Sequence, residues 1–175
     1  MPGRMGMVLF LGCFVRFWAD IDDLTMAEQL PHYELFTDGA CSGNPVPGGW
    51  AYLLRDMATG EELERCGGDP KTTNNQMELL AVLTALESLG SPAVVELYAD
   101  SKYVVNGLSE WMAGWKKRGW RKADKKPVLN LELWKRLDVQ AERHKLTSNW
   151  VAAHNEHVEN ERCDFLAVAA RERYQ

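Results

Sequence analysis

No two of the four cysteines, Cys13, Cys41, Cys66 and Cys163, stand close enough to make a CxxC pair. That spacing fits neither a zinc site nor a disulfide framework, and it leaves small, largely buried thiols in a reducing compartment. A long apolar run is missing too. The nearest approach, residues 7–18 (MVLFLGCFVRFW), is too short to span a bilayer and is broken by Arg16. No small-x-small cleavage site follows it, which argues against a secretory signal. Internal repeats and long low-complexity tracts are absent as well. Nor is there a surplus of positive charge, the formal net charge being −5. That average excludes little, because seven of the twenty basic residues crowd into residues 116–126 (KKRGWRKADKK), with Asp124 the single acid among them. Local charge decides phosphate binding.

A chain of 175 residues is long enough for one domain with a proper core and too short for two ordinary ones. Residues 1–30 read as an N-terminal extension, with Met26 an alternative start, and residues 31–175 as the domain itself. Alternation over residues 32–37 predicts a strand running into a turn at Asp38-Gly39. Strands over 50–55 and 61–68 complete an antiparallel meander. Asn74 or Asn75 is the expected cap of a helix that Gly90-Ser91-Pro92 stops. An inner strand over 93–99, a helix over 101–112 and an exposed basic segment over 116–126 come next. A helix over 129–143, a strand over 146–152 and a helix over 159–173 finish the chain. This order describes an α/β domain with a mixed sheet.

Four acids stand out by their settings: Asp38 and Asp100 each close an apolar run, while Glu78 and Asp164 stand near helix starts. Each has an ordinary reading alone: turn chemistry for Asp38, a dipole partner for Glu78, a cap for Asp100, a solvated helix acid for Asp164. Taken together they point elsewhere. Carboxylates in such places converge only in the folded state, and converged carboxylates repel unless a cation sits among them. A hard divalent ion bound through oxygen suits that role, and two would clamp the attacking and leaving oxygens of a phosphodiester. The pattern reads as a metal-dependent nuclease.

The segments TDGACSGNP, TTNNQMEL, ADSKYV, WKKRGWRKADKKPVLN with NLELWKRLD, and ENERCDFLA occur in the order and spacing of a known family. Over residues 33–172 the chain resembles bacterial type 1 ribonuclease H. The resemblance implies a ribonuclease H-like fold, a five-stranded mixed sheet flanked by helices. It implies Mg²⁺-dependent, two-metal cleavage of the RNA strand of an RNA–DNA hybrid, leaving 5′-phosphate and 3′-hydroxyl ends, with Mn²⁺ able to substitute. Asp38, Glu78, Asp100 and Asp164 match the family's metal-binding carboxylates, and His154 its active-site histidine. Glu161 resembles an outer acid that helps product leave. Lys116, Lys117, Arg118, Arg121 and Lys122, interleaved with Trp111, Trp115 and Trp120, resemble the family's basic protrusion, which grips the DNA strand. Asn44, Asn74, Asn75 and Gln76 match positions that read the minor groove, where 2′-hydroxyls mark RNA, and Thr73 and Lys102 are candidate phosphate contacts. A cytoplasmic monomer is expected, with no stable protein partner and no membrane.

The chain departs from that pattern in two places. Ala152-Ala153 precede His154 and Glu156-His157-Val158 follow Asn155, where the family carries a basic residue and glycine before and Gly-His-Pro after. Val46 replaces a glycine and requires a negative φ. Two rivals follow: a hybrid binder with weakened turnover, and a nuclease of the same fold acting on DNA.

Overall fold

The computed structural model describes residues 30–43, 46–152 and 157–174. Nearly all of the expected extension, together with Asn44 and His154, lies outside the described residues. Five strands form one sheet in the order β3-β2-β1-β4-β5: β1 (His32–Cys41), β2 (Val46–Asp56), β3 (Glu62–Thr72), β4 (Val94–Ala99) and β5 (Lys145–Trp150). The helices are α1 (Asn74–Ser88), α2 (Lys102–Asn106), α3 (Met112–Lys117), α4 (Leu131–Arg143) and α5 (Val158–Glu172). The first three strands form the antiparallel meander, while β4 runs parallel to both β1 and β5. The sheet is therefore mixed, as the element order implies. Among the described residues no helix is long and apolar enough to cross a membrane.

The pleat of β1 sorts its side chains between two cores. Leu35 joins Leu83, Leu97 and Trp134 in the larger core under α1 and α4, while Phe36 and Ala40 join Cys163 and Ala167 under α5. Asp38, at the same parity as Phe36 and Ala40, shares the α5 face. β1 does not stop at Asp38, as its sequence suggests, but runs on to Cys41, with Asp38 paired to Ala51. The glycine that looked like turn chemistry serves close packing. A Cβ on Gly39 would stand 2.5 Å from the Glu78 backbone nitrogen, so only glycine lets α1 lie this near the strand.

Two further expectations need correction. The cap of α1 is Thr73, not Asn74 or Asn75. Its Oγ1 accepts from the Gln76 N–H at 3.4 Å while Gln76 Oε1 accepts from the Thr73 N–H at 3.1 Å, a reciprocal capping box. Thr73→Ala should cost about 1 kcal/mol, read as a lower midpoint in urea unfolding. The helix predicted over 101–112 extends to Lys117 through a π-helical turn, Gly107–Trp111. Gly107 admits the Trp134 indole against the helix backbone, where a Cβ would meet the ring at 2.0 Å. The basic segment 116–126 is exposed as expected, with only Trp120 and Lys122 half-buried. Lys116 is ion-paired to Asp138 and Glu142 of α4 at 2.8 and 2.6 Å. Val46 opens β2 and pairs with Thr72 in the sheet.

Candidate active site

Pairing between β1 and β4 ends at Thr37 and Ala99, and the next residue on each strand is an aspartate. Asp38 stays with β2 while Asp100 leaves the sheet toward α2, opening a crevice at the carboxyl ends of two parallel strands. Such a parting of strands is where open α/β sheets bind ligands. Glu78 enters from the second turn of α1, carried there by the close contact at Gly39. Carboxylate oxygens of Asp38, Glu78 and Asp100 lie within 4.8 Å of one another. Asp164 reaches the same cavity from α5, together with Asn160 and Glu161. The cavity holds about 180 Å³ and is lined by Asp38, Gly39, Asn74, Glu78, Asp100, Asn160, Glu161 and Asp164. No Lys or Arg appears among the described residues that line it.

The ordinary readings of these acids do not survive the geometry. Glu78 lies beyond the first turn and is 5% exposed, so it is no capping or dipole acid. The N-cap of α2 is Ser101, not Asp100. Burial, followed by the charges of Asp100 and Asp164, pushes the Asp38 carboxyl up to about 7. Burial likewise raises Glu78 well above the carboxylate range, with Asp38 and Asp100 adding to it. Asn74 Nδ2, donating to Glu78 Oε1 at 3.3 Å, partly offsets this, as does the Gly39 N–H. Glu78 Oε2 is buried with no hydrogen-bond partner. An acceptor stranded among other carboxylates is costly unless something cationic joins it. The donor set is all oxygen, which fits Mg²⁺ or Mn²⁺.

A family model for RNase H matches residues 31–172. This chain belongs to the RNase H family and is an endoribonuclease. It is 58% identical over 144 residues to the ribonuclease H of Rhodopirellula baltica, covering 81% of this chain and 91% of that one. Its fold is similar to that of LC9-RNase H1, a type 1 RNase H with the type 2 active-site motif. That match has a TM-score of 0.73 at 30% identity, covering 83% of this chain and 74% of the other. LC11-RNase H1 in complex with an RNA/DNA hybrid superposes with a TM-score of 0.62 at 25% identity, covering 81% of this chain and 97% of that one.

Around this RNase H centre the remaining candidates separate into groups. Asn74 is turned to Glu78, and Gln76 Oε1 is engaged in the cap and by the Thr72 hydroxyl at 3.0 Å, whereas Asn75 is exposed. Lys102 Nζ sits 4.8 Å over the Trp150 ring, and the Trp150 indole N–H donates to the Asp100 carbonyl at 3.0 Å. A cation is thereby held on an aromatic ring whose own N–H is bonded to the Asp100 backbone. Farther off, a larger cavity of about 480 Å³ is lined by Tyr103, Trp111, Trp115, Arg118, Lys122 and Leu129, among others. Its size does not make it the reactive centre, since Glu110 is the single acid among the described residues that line it. Arg118 and Arg121 each donate to backbone carbonyls of their own loop, fixing its shape, while Lys117 is exposed. Trp120 occupies a positive-φ position, φ 61°, at the bend of that loop.

Two residues escaped sequence reasoning. Asn160 is 4% exposed, with a buried, unpartnered Oδ1 beside the carboxylates. Its place four residues before Asp164 on one helix was the available signal. Trp150 carried no signal, because its role rests on contacts between β5, Asp100 and Lys102.

Proposed function

We propose that this RNase H cleaves the RNA strand of RNA–DNA hybrids using divalent cations held by Asp38, Glu78, Asp100 and Asp164. The observation that carries this reading is the set of three carboxylates within 4.8 Å around a buried, unpartnered Glu78 oxygen. Mg²⁺ is the natural occupant and Mn²⁺ a substitute. When bound, a pair of such ions supplies an activated water nucleophile and charge stabilisation for the departing 3′ oxygen, which gives 5′-phosphate and 3′-hydroxyl ends. The protein's part is placement. Asn74 and the Gly39 N–H fix the Glu78 carboxylate, and β1 and β4 hold Asp38 and Asp100 on a rigid frame. His154 is assigned proton transfer at the leaving oxygen and Glu161 product departure.

Substrate grip falls to surfaces on either side of the cavity. Lys102, stacked on Trp150, is placed to meet a phosphate near the scissile one. Asn44, Asn74, Asn75 and Gln76 are assigned to the minor groove, where 2′-hydroxyls distinguish RNA, and Thr73 to a further phosphate. Lys117, Arg118, Trp111 and Trp120 take the DNA strand through its phosphates and sugars. Lys116 contributes less, because Asp138 and Glu142 already neutralise it. Arg118→Ala or Lys117→Ala should each flatten the slope of log affinity against log salt by about 1, while Lys116→Ala changes it by much less. Fluorescence anisotropy with a labelled hybrid in Ca²⁺ across a salt series measures this. The protein is read as a cytoplasmic monomer with no stable protein partner.

The deciding assay uses an end-labelled RNA–DNA hybrid with Mg²⁺, beside RNA and DNA duplexes. RNA cleavage confined to the hybrid and abolished by EDTA supports the reading. Binding of the hybrid without cleavage would instead favour a binder disabled by the residues around His154, and cleavage of the DNA duplex a DNA nuclease.

A further inference from the structure

The last helix carries opposite loads on its two flanks. At about 100° per residue, Glu159 and Arg162 of α5 lie on one side, roughly 180° from Asn160, Glu161 and Asp164. Cys163 points between them into the sheet, its thiol 3.4 Å from the Phe36 carbonyl. On the carboxylate flank, Asp164 faces Asp38 and Asp100 across the small cavity. Where these acids are ionised they repel one another, a load that tends to move α5 away from β1. On the other flank, Arg55 of β2 donates to Glu159 Oε1 at 2.7 Å. The same guanidinium is fastened to the sheet by Glu34 at 3.0 Å and Glu62 at 2.8 Å, and it lies over the Phe36 ring. One turn on, Arg162 grips Glu64 of β3 through two bonds of 2.9 and 3.1 Å.

We propose that the Arg55–Glu159 and Arg162–Glu64 pairs are positioning residues, a brace that fixes the roll of α5 and holds Asp164 among the other carboxylates before a cation arrives. This rests on the cation site proposed above. Neither pair touches the reacting atoms, and both are partly open to solvent, with side-chain exposures of 27% and 26% for Arg55 and Glu159 and of 50% and 34% for Arg162 and Glu64. Pairs that open contribute little to global stability. They act through geometry, because a carboxylate displaced by about 1 Å is enough to lower turnover steeply. Glu159 and Arg162 are three residues apart, so the two ties resist rolling together where one alone would act as a pivot. Arg55 suits its half because its planar fork binds three carboxylates at once, which a lysine cannot do.

The test compares Arg162→Glu, Glu64→Arg, the Arg162→Glu/Glu64→Arg swap, Arg55→Met and Glu159→Gln in the full chain. Each is measured for Mn²⁺ affinity by calorimetry without nucleic acid, for kcat and KM on a hybrid, and for melting temperature. Single changes should weaken Mn²⁺ binding by about fivefold and lower kcat by about tenfold, with KM within about twofold and a melting temperature little changed. The swap should return affinity and kcat to within about threefold of the original chain. Unchanged Mn²⁺ affinity in both Arg55→Met and Glu159→Gln would overturn the brace. So would a folded swap variant that fails to recover affinity. Glu159→Gln preserves size and removes only charge, so it reports even if the charge reversals misfold. Should the original chain bind Mn²⁺ yet cleave no hybrid, the substrate reading fails while the affinity series still judges the brace.

Discussion

Asp38→Asn should abolish hybrid cleavage, by at least about a thousandfold, and yet make the cation-free protein more stable. The loss of activity follows from removing one anionic ligand at the centre of the cluster, about 4 kcal/mol of transition-state stabilisation. The gain in stability follows from burial. Asp38 is 5% exposed and faces two other acids, which together lift its carboxyl to about 7 from an unfolded value of about 3.9. Between those two values the folded chain binds a proton that the unfolded chain does not. Stability of the cation-free protein therefore falls as pH rises through that window, and the loss is complete above it. Asparagine carries no such charge. In EDTA, Asp38→Asn should melt roughly 5 °C higher at pH 8, on the order of 2 kcal/mol, and the difference should shrink toward pH 4.5. Thermal melts at the two pH values read this directly. A difference that widens at pH 4.5 would show that the aspartate is stabilised as an anion by something other than a cation. Adding Mg²⁺ at pH 8 should raise the melting temperature of the original chain and leave the variant almost unmoved.

Gly39→Ala is expected to disable the enzyme without touching a carboxylate. The added methyl would stand 2.5 Å from the Glu78 nitrogen and 2.8 Å from the Met77 carbonyl carbon, both backbone atoms that cannot swing aside. Relief requires α1 to move off β1, which draws Glu78 out of the cluster and loosens Met77 and Leu79, both fully buried. Overpacking of this kind costs about 1–3 kcal/mol in stability, and a carboxylate shifted by about 1 Å costs on the order of a hundredfold in kcat. Circular dichroism melts and hybrid cleavage measured on one preparation separate the two effects. A variant that melts lower but cleaves at the original rate would mean that Glu78 follows the strand and not the helix. Because KM depends on groups far from this contact, it should move much less than kcat.

The elements and the donor chemistry were legible in local patterns of the chain. Alternation marked β1, the apolar run marked β4, and five separate motifs identified an RNase H with four candidate acids. Local pattern suffices there because strand and helix periodicities are written residue by residue. Its errors fell where a distant partner decides. Asp38-Gly39 looks like a turn in isolation, but the approach of α1 makes it an interior of β1. Gly107 looks unremarkable until Trp134, 27 residues later, packs against it. Lys116 reads as one cation of a basic tract, yet α4 brings Asp138 and Glu142 to it. Convergence of the carboxylates, the shift of Asp38 toward neutral pH and the opposed flanks of α5 belong to tertiary structure alone. Each depends on through-space distances between residues far apart in the chain, and charge repulsion and burial act through those distances, not through sequence spacing.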